Sequence, residues 1–252
     1  MRLLVAGDID PVAVDNPGGS SDILLLGDHA GRLIPGRLGD LGLDPAELER
    51  HIAWDIGVAG LGARLAGRLD AVFLRQTYSR LVIDCNRWRG AAGSIPAVSD
   101  GAAVMGNAAL DAAARRAREA EIFAPYHAAI AAELDRRAER PTLIVSLHSF
   151  TPTLDGSARP WRFGVLHRRD SAFSAAVLQA LTAASGDDVG DNQPYAMDDT
   201  DFTIPHHADA RGLDYLELEV RQDLIADAEG QARVADLLAP VLAAGQHEGR
   251  AR

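Results

Sequence analysis

The sequence predicts an α/β fold: one domain over residues 1–252, built on a mixed, mostly parallel sheet. Three observations carry this. Short apolar runs bounded by Gly, Pro, Asp or Asn alternate along the chain with longer helical patterns, the order that builds parallel sheets. No repeat or linker divides the 252 residues, and a hydrophobic content of 47% suffices for a real core. Several of the apolar runs end in polar clusters, two of them carrying histidine, and open α/β sheets bind ligands just beyond the carboxyl ends of their strands.

Taken in order, residues 1–21 read as a loose lead-in, rich in Pro, Gly, Ser and Asp from residue 8 onward. Residues 23–26 form a buried strand that runs into Gly27-Asp28-His29-Ala30-Gly31. Asp44-Pro45-Ala46-Glu47 starts a helix, with a capping residue, Pro at the first helical position and Glu at the third; the pattern continues to about residue 69. Residues 71–74 and 81–83 read as strands, the second closed by Asp84-Cys85-Asn86-Arg87. After a loop over 89–106 comes a long helical stretch, 107–140, interrupted at Pro125. Residues 143–147 are a buried strand that delivers His148, followed by a loop over 151–161. A strand over 162–166, a helix over 171–184 and a long polar loop over 186–210 follow. Residues 213–220 form the last strand, and 228–244 the last helix, broken or kinked at Pro240 and ending in a frayed polar tail.

Composition narrows the chemistry. All 25 basic residues are Arg, which removes Lys nucleophiles, Schiff bases and P-loops, and makes every cationic anchor permanent and able to bind in fork geometry. A net charge of −11 argues against nucleic-acid binding, though not against a small carboxylate substrate held by local arginines. One cysteine excludes an internal disulfide and a cysteine-rich metal site. No apolar run approaches the ~20 residues of a membrane span, and the early polar turn after Met1 does not resemble a signal peptide, so a cytoplasmic enzyme without membrane attachment is the expectation.

His29 and His148 close two predicted strands far apart in sequence. Two His and one carboxylate satisfy a catalytic zinc site, which keeps one position open for water. Asp55 and Asp28 both qualify as the carboxylate. Glu217 and Glu219 share one face of the last strand; a carboxylate there suits a general base, while pairing with arginines such as Arg221 is the plainer alternative. Arg80 and Arg87 bracket the 81–85 run and suit carboxylate recognition, against a role in surface ion pairs. Ser146 and Ser149 flank His148 and would orient it. His206 and His207, in the long loop, would polarise a carbonyl or remain solvated; the other histidines have no comparable setting. Cys85 as nucleophile of a metal-independent amidase is a rival class, and a non-catalytic binding module another. No Gly-x-Ser-x-Gly elbow occurs.

Five blocks in this order, Gly27-Asp-His-Ala-Gly31 with Pro35, Ala53-Trp-Asp-Ile-Gly57, Tyr78-Ser-Arg-Leu-Val-Ile-Asp-Cys-Asn-Arg87, Ser146-Leu-His-Ser-Phe-Thr-Pro152 and Leu218-Glu-Val-Arg-Gln-Asp-Leu224, resemble the N-formylglutamate amidohydrolase family over roughly residues 23–238. The resemblance implies a three-layer, phosphorylase/hydrolase-like sandwich akin to zinc exopeptidases, and hydrolysis of an N-formyl or N-acyl amino acid. It implies Zn²⁺ on His29, Asp55 and His148, and Glu219 as the base. By the same likeness Asn86 and Arg87 hold the substrate carboxylate, Arg80 polarises the carbonyl, and His206 or His207 stands near the substrate. Ser149 would then belong to the pocket rim.

Overall fold

The computed structural model describes residues 2–186 and 188–250. Seven strands form one sheet: β1 Val12–Asp15, β2 Ile23–Gly27, β3 Val72–Gln76, β6 Leu143–Phe150, β9 Phe163–Leu166, β10 Val189–Asp191 and β11 Asp214–Arg221. Two small hairpins, β4 Val98–Ser99 with β5 Ala102–Ala103 and β7 Thr153–Leu154 with β8 Ser157–Ala158, stand outside it. The helices are α1 Pro45–Leu48, α2 Val58–Leu69, α3 Ala112–Arg118, α4 Ala124–Arg136, α5 Ala172–Ser185, α6 Thr203–His207 and α7 Ala228–Arg250. The strand order is β1-β3-β2-β6-β11-β9-β10. The central four strands are parallel; β1 and the β9–β10 pair run the other way. The sheet is therefore mixed and mostly parallel, as expected.

Period-2 alternation makes the three layers. Leu143, Val145 and Leu147 of β6, with Leu216, Leu218 and Val220 of β11, pack on Leu61 and Leu65 of α2, Val177 and Leu181 of α5, and Leu238 and Leu242 of α7. The opposite face carries Leu24, Leu26, Leu74 and Ile144 against Ile130 and Leu134 of α4. Each fully buried aliphatic side chain stabilises the fold by about 1.5–3 kcal/mol. Toward their carboxyl ends, β6 and β11 exchange apolar for polar residues on this second face, at Ser146, His148, Glu217 and Glu219. Ser146 lies beside Glu217 and His148 beside Glu219 in the parallel ladder. That exchange locates the site.

The structure corrects several expectations. Residues 81–83 are not a strand: they form a buried turn whose carbonyls are satisfied by side chains, Asn107 Nδ2 donating to Leu81 O at 2.8 Å and Arg118 Nη1 to Val82 O at 2.8 Å. An apolar run reads alike whether a ladder or a side chain takes its hydrogen bonds. The lead-in contributes the edge strand β1, antiparallel to β3. The interruption near Pro125 is a π-helical turn, Glu119–Phe123, placed just before the proline, where the wider spacing relieves its missing N–H and its ring. α7 passes Pro240 unbroken and continues to Arg250, where a break and a frayed tail were expected; residues 251–252 lie outside the described residues. The 186–210 segment holds β10 and α6; its residue 187 also lies outside. Among the described residues no helix is long and apolar enough to cross a membrane.

Candidate active site

His29 follows β2 directly. The chain there runs so close to the segment after β3 that a Cβ on Gly31 would meet the Thr77 carbonyl carbon at 2.1 Å. Asp55 sits in the turn that leads into α2. Its N–H donates to His29 O at 2.9 Å, which ties the two segments together. Gly57 ends that turn with φ 85, a left-handed conformation, and a Cβ there would strike Ile225 O at 2.1 Å. His148 comes from the carboxyl end of strand β6, and Glu219 from its neighbour β11.

These elements bring three donor groups to one point. Asp55 Oδ2 lies 3.0 Å from His148 Nδ1 and 3.6 Å from His29 Nδ1. The donor atoms of His29, Asp55 and His148 all fall within 4.8 Å of one another, and all three residues are buried. Each imidazole is fastened by its outer nitrogen. His29 Nε2 is 2.7 Å from Asp84 Oδ1; His148 Nε2 is 3.1 Å from Ser146 Oγ and 3.7 Å from Asp28 Oδ2. His29 Nδ1 is buried without a hydrogen-bond partner. Inward Nδ1 atoms backed by outer carboxylates are how metal-ligating histidines are oriented. The donor set, two imidazoles and a carboxylate, suits a divalent cation such as zinc. Of the two competing aspartates, Asp55 meets both inner nitrogens. Asp28 stays behind His148, accepting from Ser146 at 3.3 Å and from Thr203 Oγ1 at 3.0 Å.

The electrostatics favour positive charge at this point. Burial opposes ionisation of Asp55, yet His29 and His148 hold its carboxyl far below the usual range. Burial likewise opposes ionisation of Asp84, and Arg80 with His29 holds it well below normal. For His148 burial works downward, but the Asp55 hydrogen bond and the surrounding carboxylates raise it to about 10. Opposite the triad, burial pushes Glu219 up to about 7 and Glu217 up to about 8. Each keeps one buried carboxyl oxygen without a partner, Oε2 of Glu219 and Oε1 of Glu217.

A cavity of about 270 Å³ opens over these groups. Arg80 and Arg87 stand on its wall, their side chains 25% and 27% exposed. Arg80 binds Asp84 through Nε at 3.0 Å and Nη2 at 2.7 Å, with Nη1 3.5 Å from Asp55. Arg87 Nη1 donates to Asp201 Oδ1 at 2.8 Å. Asn86 also lines the cavity, but its Oδ1 accepts from the Phe202 and Thr203 N–H groups, so it anchors the start of α6. Ser149 is on the wall too; its N–H donates to Asp55 Oδ2 at 3.2 Å and its hydroxyl to Ile56 O at 3.0 Å.

Two expected participants are elsewhere. His206 and His207 do not line the cavity, which corrects the expectation that one of them meets the substrate. His207 is buried against His127, Nε2 to Nδ1 at 3.0 Å, and His206 stacks on Phe202 with centroids 4.6 Å apart. The short helix α6 turns His207 inward and leaves His206 exposed. Cys85 is buried off the cavity, and burial pushes its thiol well up, which removes the nucleophile reading. The sequence reading passed over Asp84, the buttress of His29, and Tyr195, which lines the cavity. Asp84 carried a signal in its place between Arg80 and Asn86. Tyr195 carried none beyond being the aromatic of a polar loop.

The comparisons with known proteins bear on family and fold. No curated protein matches the sequence significantly. Among solved structures, gene product Atu2144 from Agrobacterium tumefaciens superposes with a TM-score of 0.93 at 33% identity, covering 98% of each chain. N-formylglutamate amidohydrolase from Ralstonia eutropha JMP134 superposes with a TM-score of 0.71 at 20% identity, covering 97% of this chain and 100% of that one, a likeness of fold. The family model for N-formylglutamate amidohydrolase matches residues 21–226. That match spans β2 through the end of β11, hence every group of the site, and the chain belongs to the N-formylglutamate amidohydrolase family.

Proposed function

We propose that the protein is a zinc-dependent amidohydrolase that removes the formyl or another acyl group from an N-acyl amino acid. The observation that supports this most is the pairing of the His29–Asp55–His148 donor set with Glu219, which faces the same cavity from the strand beside His148. His29 Nδ1, His148 Nδ1 and an Asp55 carboxylate oxygen would hold the ion. Zinc so bound lowers the pKa of water toward ~7 and acts as a Lewis acid.

The protein's own groups supply the remaining steps. Glu219 accepts a proton at a carboxyl oxygen as water adds to the amide carbonyl carbon. Burial has already raised that carboxyl toward neutrality, so it can also give the proton back. Arg80 has an N–H-bearing edge on the cavity wall for the developing oxyanion, a contribution of about 10²–10³ in rate for one such donor. Glu219 then hands its proton to the leaving nitrogen as the C–N bond breaks, releasing the acid and the amino acid. Arg87 pairs with the substrate carboxylate, which turns the amide toward Glu219. Asp84 and Ser149 keep His29 and Asp55 in place throughout.

The test is turnover of a panel of N-formyl and N-acetyl amino acids by chelated and zinc-restored protein. Chelation is expected to abolish hydrolysis and zinc to restore it; hydrolysis by metal-free protein overturns the reading.

A further inference from the structure

Three arginines are buried among the described residues: Arg118, Arg137 and Arg159. Arginine is seldom buried without partners that answer its charge and its donors. Arg118 donates to the Val82 and Gly106 carbonyls and to Asn107 Oδ1, and Arg137 pairs with Glu133 and donates to Ser21 O. Arg159 is 8% exposed and forms no ion pair among the described residues. Its side-chain hydrogen bonds are long ones, from Nη1 to Thr151 O at 3.4 Å and to Thr151 Oγ1 at 3.3 Å, beyond the best geometry for an N–H donor. Two rings cover the guanidinium, Tyr195 at 4.7 Å and Phe150 at 5.7 Å. A ring face holds a cation, but less strongly than a carboxylate in fork geometry does.

The place of this cation matters. Phe150, Thr151 and Tyr195 all line the catalytic cavity, and Arg159 does not. The guanidinium therefore lies directly behind that part of the wall. Tyr195, 41% exposed and in the stretch between β10 and α6, is the side chain in front of it that can turn. Such rotations are fast for exposed side chains. The cations on the wall itself are already committed, Arg80 to Asp84 and Arg87 to Asp201. His51, also on the wall, is moved toward its neutral form by burial. One substrate carboxylate can take Arg87 from Asp201. A second needs a further cation, and Arg159 is the guanidinium beside the cavity that no carboxylate occupies.

We propose that Arg159 is a specificity-determining residue: Tyr195 turns off the guanidinium, and Arg159 binds a carboxylate on the substrate's side chain while Arg87 holds the carboxylate of the amino acid. This rests on the amidohydrolase reading above and assigns a residue to side-chain selection within it. Only a ligand that binds the uncovered state better can shift Tyr195. A side-chain carboxylate does so, because it replaces a ring contact with charge-assisted hydrogen bonds; a neutral side chain of the same shape gains much less.

The experiment compares N-formylglutamate with N-formylglutamine, which differ in charge and hardly in shape. It reads the ratio of their kcat/KM values in zinc-loaded wild type, Arg159→Met, Arg159→Lys and Tyr195→Ala. Wild type is expected to favour formylglutamate by about 10- to 100-fold. Arg159→Met brings the ratio to about 1, and Arg159→Lys retains part of it, since it keeps the charge and loses the fork. Tyr195→Ala keeps the wild-type ratio or raises it, because it removes the cover and leaves the cation. Three results overturn the proposal: a wild-type ratio near 1, an equal fall of both substrates in Arg159→Met, as a purely structural arginine predicts, or a ratio near 1 in Tyr195→Ala, which assigns the selection to the phenol. Wild type and Tyr195→Ala decide it even where the Arg159 variants do not fold. If wild type hydrolyses neither compound, the reaction reading fails separately. Calorimetric binding of the two compounds to zinc-loaded wild type and Tyr195→Ala then reads the same ratio, and equal binding of the two overturns the proposal as well.

Discussion

The molecule buries two pairs of histidines, and they behave oppositely. The rings of His29 and His148 lie 5.1 Å apart, those of His127 and His207 5.2 Å apart. The first pair is ringed by Asp55, Asp84 and Asp28, and the balance raises both imidazoles. The second pair is joined ring to ring, with His127 Nε2 on the Cys85 carbonyl at 2.9 Å and Phe123 and Phe202 packed around it. Burial there dominates, lowering His127 to about 4 and His207 to about 2. Equal spacing therefore says little about function. What differs is the neighbours: carboxylates concentrate positive charge, whereas a carbonyl and aromatic rings keep imidazole neutral.

Exchanging members of the two pairs gives the largest contrast. His148→Ala removes an inner nitrogen and should lose both zinc and measurable turnover, whereas His207→Ala should keep one zinc per chain and turnover within a few-fold; metal analysis beside a deformylation assay reads both. Loss of zinc in His207→Ala contradicts the contrast. Next comes the outer shell. Asp84→Asn should weaken zinc binding about 10–100-fold without removing a donor atom, measured by competition with a chromogenic chelator; unchanged affinity removes Asp84 as a buttress.

The smallest effect is on stability. For His127 and His207 the folded pKa lies below the ordinary 6.5, so below pH 6.5 the unfolded chain binds protons that the folded chain does not. Their contribution is intact above pH 6.5 and falls as the pH drops toward about 4. Between pH 7 and 5 this amounts to about 2 kcal/mol for one such group. Urea midpoints of zinc-loaded protein should show the loss, and His127→Phe should reduce it. An identical pH slope in that variant would assign the acid sensitivity to other groups.

This contrast also explains what could be read from the sequence. Strands at 23–26 and 143–147, with their terminal histidines, were legible because apolar runs and the polar turns after them follow from local chemistry. Asp55 was legible only as one of two candidates, because its choice over Asp28 depends on the turn held by Gly57 and the His29 carbonyl. His206 and His207 were misplaced, since nothing local records that α6 buries His207 against α4 and leaves His206 exposed beside Phe202. The 81–83 run was misread for a related reason: its partners, Asn107 and Arg118, lie far along the chain. Glu217 and Glu219 look equivalent in sequence, and only their depth in the cavity separates them.

The central claim is that His29, Asp55 and His148 hold the ion while Glu219 moves the proton. It is tested most directly by measuring zinc content and hydrolysis on the same preparations of wild type and Glu219→Gln. The account predicts one zinc per chain in both, with turnover in the variant lower by about 10²–10⁴-fold. Turnover near the wild-type rate in Glu219→Gln, or hydrolysis by wild type that contains no zinc, would contradict it.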